Sequence, residues 1–268
     1  MSLIRLGMRV AVVQALKGRT LVGGNVLDSE IGALETDADG MLRSDQTKPF
    51  LTVYTDKTDR RDGEGWPREF AGNGMTDLVF EVGIAATMLD RDSETGVSEV
   101  IAGIPATDRA FEFHLDIVCR QIADALSDLD NPWAEIFRGL STRIHRIERA
   151  RASSTEQTGR LAAAQLRLTL ELIEDPARGV PIDPVTPFGR LLALMEDSGA
   201  NDLVAYATTI RSLLAGDHEP WRVAQERLGL SATEVAALGI GPLAADADVE
   251  MGILEIDGLG TVEVTGDA

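Results

Sequence analysis

Along the first segment Leu3, Leu6, Val10, Val13 and Leu16 recur at steps of three and four, which predicts an amphipathic helix closed by Gly18. "TLVGGNVLDSEI" (Thr20 to Ile31) then reads as a loop and a short strand, followed by the polar stretch "GALETDADGMLRSDQTK". "PFLTVYT" (Pro49 to Thr55) and "DLVFEVGIAATM" (Asp77 to Met88) are rich in β-branched and aromatic residues bounded by turn chemistry, so both are predicted strands. The charged, glycine-rich segment from Asp56 to Thr76 between them is far longer than a hairpin turn, and long loops in compact domains usually carry function or disorder.

A second acidic loop, "DRDSETGVSE", precedes a stripe of Phe111, Leu115, Val118, Ile122 and Leu126, predicting a long helix with Thr107 as its N-cap. "NPWAEIFRGLSTRIHRIERARA" is read as another helix, with Asn131 as cap and Pro132 as its first residue. On that helix Arg143, Arg146 and Arg149, at three-residue steps, would line one side. In "AQLRLTLELIEDP" Leu166, Leu168, Leu170 and Leu172 alternate with Gln165, Arg167, Thr169 and Glu171, and strict period two predicts a half-buried strand. Pro176, Pro181, Pro184 and Pro187 mark a linker, which places a boundary near residue 186 between units 1–186 and 187–268. Beyond it the helical period returns through Leu191, Leu192, Met195 and Leu203 to Leu238, and "VEMGILEIDGLGTVEVTG" reads as a β-hairpin about Asp257-Gly258.

Charge narrows the partners. Acids outnumber bases 44 to 25, a formal charge of −19, which repels nucleic-acid phosphates and anionic lipid and disfavours sequence-specific nucleic-acid binding. Cys119 is the only cysteine, so no intramolecular disulfide forms, and it makes no zinc-ligand spacing with the three histidines. Arg5 and Arg9 interrupt the apolar N-terminus and no long apolar run follows, so the expectation is no signal peptide, no membrane contact and a cytoplasmic location.

Local chemical signatures are weak. Gly63, Gly65, Gly72 and Gly74 lie between two strands, not on the strand-to-helix turn a P-loop needs. Glu35, Asp37, Asp39 and Gly40 mimic the start of a calcium loop, but the first ligand is a glutamate and the twelfth position is Gln46. Cys119 follows the buried stripe with no basic activator nearby and reads as a core thiol, and His114, at the edge of that stripe, as a satisfied structural histidine. His145 and His218 have no partners close in sequence, and no nucleophile elbow appears. "WRVAQERLGLSATEVAALGIG" has helix-turn-helix rhythm, with Ser231 to Glu234 as a capping box, but Glu226 and Glu234 offset Arg222 and Arg227, which favours a plain helical hairpin. No cofactor or metal is called for.

Taken in order, "IRLGMRVAVVQALKG", "VLDS", "PFLTVYTD", "LVFEVGIAA", "FEFHLDIVCRQIADAL" and "QLRLTLEL" resemble the tail terminator (minor tail protein U-like) family of long-tailed bacteriophages and gene transfer agents, over residues 1 to about 176. The C-terminal region is a departure from the short members. The resemblance implies an α/β (α+β) domain, helices packed on a mixed sheet; the mainly helical extension ending in the hairpin is read from the residues themselves. The resemblance further implies a structural protein without enzymatic activity, a homohexameric ring in the virion tail, assembled in the host cytoplasm, that caps the tail tube protein and receives the head connector or stopper protein. Partner binding is then expected on the loop residues Asp56, Lys57, Arg60, Arg61 and Trp66 and on Arg143, Arg146 and Arg149. The alternatives are a soluble enzyme using loop acids such as Asp56, Asp59 and Asp90, and a binding module built on the C-terminal helices.

Overall fold

A computed structural model describes residues 2–30, 35–36, 42–43, 48–59, 68–69, 72–85, 90–91, 98–99, 108–156, 159–242, 254–256 and 260–262. Its centre is a five-stranded mixed sheet in the order β1-β4-β5-β9-β8. The strands are β1 (Val26–Asp28), β4 (Phe50–Asp59), β5 (Met75–Ala85), β8 (Ser141–Glu156) and β9 (Gly159–Leu172). Only β1 runs parallel to its neighbour; the other pairings are antiparallel. Two short antiparallel pairs, β2 (Glu35–Thr36) with β3 (Leu42–Arg43) and β6 (Asp90–Arg91) with β7 (Ser98–Glu99), stand outside it. This is the α+β arrangement of helices on a mixed sheet expected from the sequence.

Strand alternation decides which face is covered. Leu51, Val53, Leu78, Phe80, Val82, Leu166, Leu168 and Leu170 lie in register on one face, and all join the continuous core. Helices α1 (Leu3–Leu16) and α2 (Asp108–Ser127) pack on that face, and α3 (Pro132–Leu140) lies against α1. The predicted stripe of α2, from Phe111 to Leu126, is buried throughout. In α1 the amphipathic expectation gives way: Ile4, Met8, Val12 and Ala15 are as buried as Val10, Val13 and Leu16, while Leu3 and Leu6 are only partly covered. The helix is sandwiched between the sheet and a second helical layer, so it needs an apolar surface nearly all round.

Polar groups fix the helix starts. Asp175, just past β9, accepts from the Ser2 hydroxyl at 2.6 Å and from the backbone N–H groups of Leu3 and Ile4 at 2.9 and 3.0 Å, placing a carboxylate at the positive end of α1. Asn131 caps α3 as predicted, accepting from Trp133 N and Ala134 N, and its amide donates to Ala15 O at 3.0 Å, which joins the start of α3 to the end of α1.

The second layer continues through α4 (Pro187–Asp197) and α5 (Asn201–Leu214). The chain is punctuated by prolines near residue 186, but the core is not: Phe188, Leu191, Leu192, Met195, Leu203, Ala207, Ile210 and Leu214 belong to the same cluster as α1 and the sheet. At Gly7 the backbone of α1 approaches Leu191 so closely that a Cβ would collide with its side chain. Beyond them α6 (Pro220–Leu228) buries no residue and α7 (Ala232–Leu238) buries only Val235. Gly229 joins them at φ 65, and the predicted Ser231–Glu234 capping box is formed. The terminal strands β10 (Leu254–Ile256) and β11 (Gly260–Val262) pair antiparallel with each other, and with no other strand among the described residues.

One predicted element changes type. The helix beginning at Pro132 stops at Leu140, and the arginine-rich stretch after it is the strand β8. Register shifts lie between Ser141 and Arg143 and between Ile144 and Arg146. Such a bulge inserts an extra residue, so positions three apart keep the same face of the strand. Arg143 and Arg146 therefore stand opposite Glu171 and Thr169, on the face away from the helices, while Ile144 and Ile147 stand opposite Leu170 and Leu168 on the helix face. No bulge follows Arg146, so Arg149, opposite Leu166, is on the helix face. The three arginines do not line one side of anything.

Candidate functional site

The most distinctive surface is the outer edge of the sheet. β8 is 16 residues long, and no strand pairs with its far side among the described residues, although β3 comes near it. Ile144 is 47% and Ile147 52% exposed, although both continue the row of buried leucines on β9, because α2 covers β5 and β9 and does not extend over this part of the edge. Arg143 and Arg149 form no ion pair among the described residues, whereas Arg146 meets Glu148 at 2.7 Å. Arg151 is anchored on α2 by Glu112 and Asp116. His145, the extra residue of the second bulge, lies 3.0 Å from Glu171. The edge thus offers unpaired backbone groups, two exposed isoleucines on one face and two arginines on the other.

The face of the sheet away from the helices carries a polar network. The Tyr54 hydroxyl donates to Glu81 at 2.7 Å, and the Gln165 amide donates to the same carboxylate at 2.9 Å. Arg167 bridges Asp77 at 3.0 Å and Asp56 at 3.1 Å, and the Thr169 hydroxyl donates to Asp77 at 2.7 Å. Burial, and then the Glu81 carboxylate, push the Tyr54 hydroxyl well above its ordinary value, so it stays a neutral donor. Each of these side chains already has a hydrogen-bond or ion-pair partner, which describes a locked sheet face and not a poised acid or base.

The predicted loop residues are only partly in a loop. β4 runs to Asp59 and β5 begins at Met75, so Asp56, Lys57, Asp59 and Thr76 are strand residues, and the connection between the strands is shorter than expected. The strand is prolonged because Arg5, reaching from α1, donates to Thr55 O at 2.7 Å and Asp56 O at 2.9 Å, next to a register shift between Thr55 and Thr58. Asp56 is held by Arg167, and Lys57 pairs with Asp59 at 3.1 Å. A carboxylate site built on Asp56 and Asp59 would therefore have to break both pairings. Arg60, Arg61 and Trp66 lie outside the described residues, as do Asp37, Asp39, Gly40 and Gln46 of the calcium-like stretch. Among the described residues no cluster of metal-ligating side chains occurs, and no helix is long and apolar enough to cross a membrane. Arg68 meets Glu234 on α7, and that guanidinium, helped by the Ser231 backbone and hydroxyl, holds the Glu234 carboxyl down at about 2.

Between α2 and the edge lies an open cleft of about 650 Å³, lined among others by Asp116, Cys119, Arg120, Arg149 and Gln165. Cys119 is half-buried, not deep in the core, and Arg149 is the basic neighbour that sequence spacing did not reveal. Burial nevertheless outweighs that arginine and pushes the thiol up, which favours its protonated form. His114 is fully buried, but neither ring nitrogen has a hydrogen-bond partner among the described residues, so it is not the satisfied histidine expected. Burial lowers its pKa and keeps the ring neutral. The network residues Tyr54, Asp77, Glu81 and Arg167 were not singled out in advance. Their one sequence signal is the polar phase of the alternation along each strand, which marks a face without saying what faces what. Compared with known proteins, the chain matches no protein-family model and no curated protein sequence.

Proposed function

We propose that this protein is a structural assembly subunit, a tail terminator of a long-tailed bacteriophage or gene transfer agent, which forms a ring that caps the tail tube and receives the head connector. The observation that carries this reading is β8: a 16-residue edge strand, exposed on both faces from Thr142 to Ile147, with Arg143 outside any ion pair among the described residues and with half-exposed Ile144 and Ile147. A long open edge is a ready template for pairing with another chain. The order of elements, with α1, then β1, β4 and β5, then α2 and a return through β9, also agrees with the family the sequence resembles. Its partners in this reading are further copies of itself, the tail tube protein and the connector or stopper protein.

The test is the size and shape of the purified chain. Sedimentation should give a closed ring, about 170 kDa for six copies of a 28.8 kDa chain, and negative-stain images should show an annulus. A monomer that persists at high concentration overturns the reading.

A further inference from the structure

The geometry points to a specific occupant of the β8 edge: we infer that the C-terminal β-hairpin of a second copy adds to it, joining subunits head to tail. This rests on the ring reading above and names the contact that would build the ring. The hairpin stands apart from the five-stranded sheet among the described residues. Its strands, Leu254–Ile256 and Gly260–Val262, pair with each other and with no other strand among the described residues. A two-stranded ribbon with three-residue strands is marginal in water by itself and gains most by joining a larger sheet.

Charge selects the pairing. The segment from Val249 to Val264, "VEMGILEIDGLGTVEV", carries Glu250, Glu255, Asp257 and Glu263 and no lysine or arginine. β8 carries Arg143, Arg146, Arg149 and Arg151 against Glu148 and Glu156, and Arg143 and Arg146 are the two arginines on the face away from the helices. Two copies of β8 side by side would bring together two strands of net positive charge, so the edge disfavours its own kind and accepts an acidic strand. The patterns also agree along the strand. β8 has Ile144 and Ile147 on one face and Arg143 and Arg146 on the other, while "LEI" (Leu254 to Ile256) alternates apolar, acidic, apolar. The added strand would extend the row of leucines and isoleucines on one face and answer the arginines on the other. Backbone pairing would supply affinity, and the alternating side chains would supply specificity. The bulges occupy only the start of β8; from Arg146 to Glu156 its ladder to β9 is regular, and no strand pairs with its other side among the described residues.

The experiment uses the full chain. Arg143→Glu with Arg146→Glu should abolish assembly at low salt, Glu250→Arg with Glu255→Arg should do the same, and all four together should restore it. In a Cys119→Ala background, one chain carrying Ile147→Cys and another carrying Leu254→Cys should be joined by a short bis-maleimide into a mixed dimer. If the unmodified chain forms rings and the charge variants assemble equally well, the hairpin contact is overturned and the ring reading stands. Crosslinking only within a single chain carrying both cysteines, independent of dilution, places the hairpin on its own β8 and also overturns it. If the unmodified chain is monomeric throughout, both fall together.

Discussion

At one edge of the sheet β1 offers three residues, and at the other β8 offers 16. The short edge is closed by local devices. β1 is tied to β4, Asp28 at its end pairs with Arg9 of α1, and Ser29 turns the chain away at φ 57 while its N–H donates to Val53 O at 2.9 Å. Three residues leave little for another strand to read. The long edge is protected by charge and by bulges, and these act selectively: charge that refuses a basic strand attracts an acidic one. An edge silenced by brevity is silent to all partners, whereas an edge guarded by arginine remains available to one class.

The largest effect expected is on the strand that supports the long edge. Leu170 of β9 is fully buried between β5 and β8, and Leu170→Ala should cost about 2–5 kcal/mol through lost burial and the cavity left behind. Ile147→Ala, on the neighbouring strand and half exposed, should cost the isolated subunit less than about 1 kcal/mol yet weaken assembly. Chemical denaturation of the subunit measures the first, and sedimentation measures the second. Equal stability losses would mean that β8 is packed as tightly as the interior, removing the contrast between the edges.

Second in size is the effect of the arginines, which the two faces of β8 divide. Arg143→Ser with Arg146→Ser should reduce assembly at low salt and leave the folded subunit intact, with the difference from the unmodified chain shrinking at high salt. Arg149→Ser alone should change assembly little, because Arg149 is on the helix face above the cleft and not beside the other two. If all three behave alike, total charge matters and the face does not.

How far the sequence foretold this division is instructive. Period two made the second half of β9 unmistakable, because every second residue from Leu166 to Leu172 is leucine and its pairing with β5 is uninterrupted. β8 was misread for a physical reason: Ile144 and Ile147, like Arg143 and Arg146, are three apart, a helical step, and only the extra residue at His145 makes that step fit a strand. A bulge is a property of the pair of strands, so neither strand's sequence contains it. The C-terminal helices show a similar limit. Prolines announce a break in the chain's path, but whether Leu191 packs on its own layer or on α1 depends on Gly7, some 180 positions away in sequence, leaving room for it. The matched network of Tyr54, Glu81, Arg167 and Asp77 was illegible for the same reason: strand register alone brings those side chains together.

A third effect bears on α2, which covers the sheet between the two edges and anchors Arg151. The folded protein holds His114 neutral, with a pKa below the ordinary 6.5, whereas the unfolded chain takes up a proton near that value. Stability is therefore fully present above about pH 6.5 and is lost as pH falls towards the folded pKa. Thermal unfolding of the subunit should show a midpoint that declines between pH 7 and pH 5, and His114→Leu should flatten that decline. An unchanged slope would assign the acid sensitivity to other groups.

The smallest effect belongs to the short edge. Asp28 and Arg9 are both partly exposed, with side chains 34% and 26% accessible, and a pair so open to water and salt contributes at most about 1 kcal/mol. Asp28→Asn removes the charge and keeps the shape. Burial of Val26 and the ladder to β4 do not depend on that charge, so the strand should stay in place. The expected result is a shift within about 1 kcal/mol in denaturation and an assembly state unchanged at any salt concentration. The variant is the matched control for the arginine substitutions on β8, since both alter one edge's charge and only one edge is long enough to pair. Should Asp28→Asn weaken assembly as strongly as the β8 variants, the two edges would meet each other in the ring, and β1 would be a partner for β8 in place of the acidic hairpin.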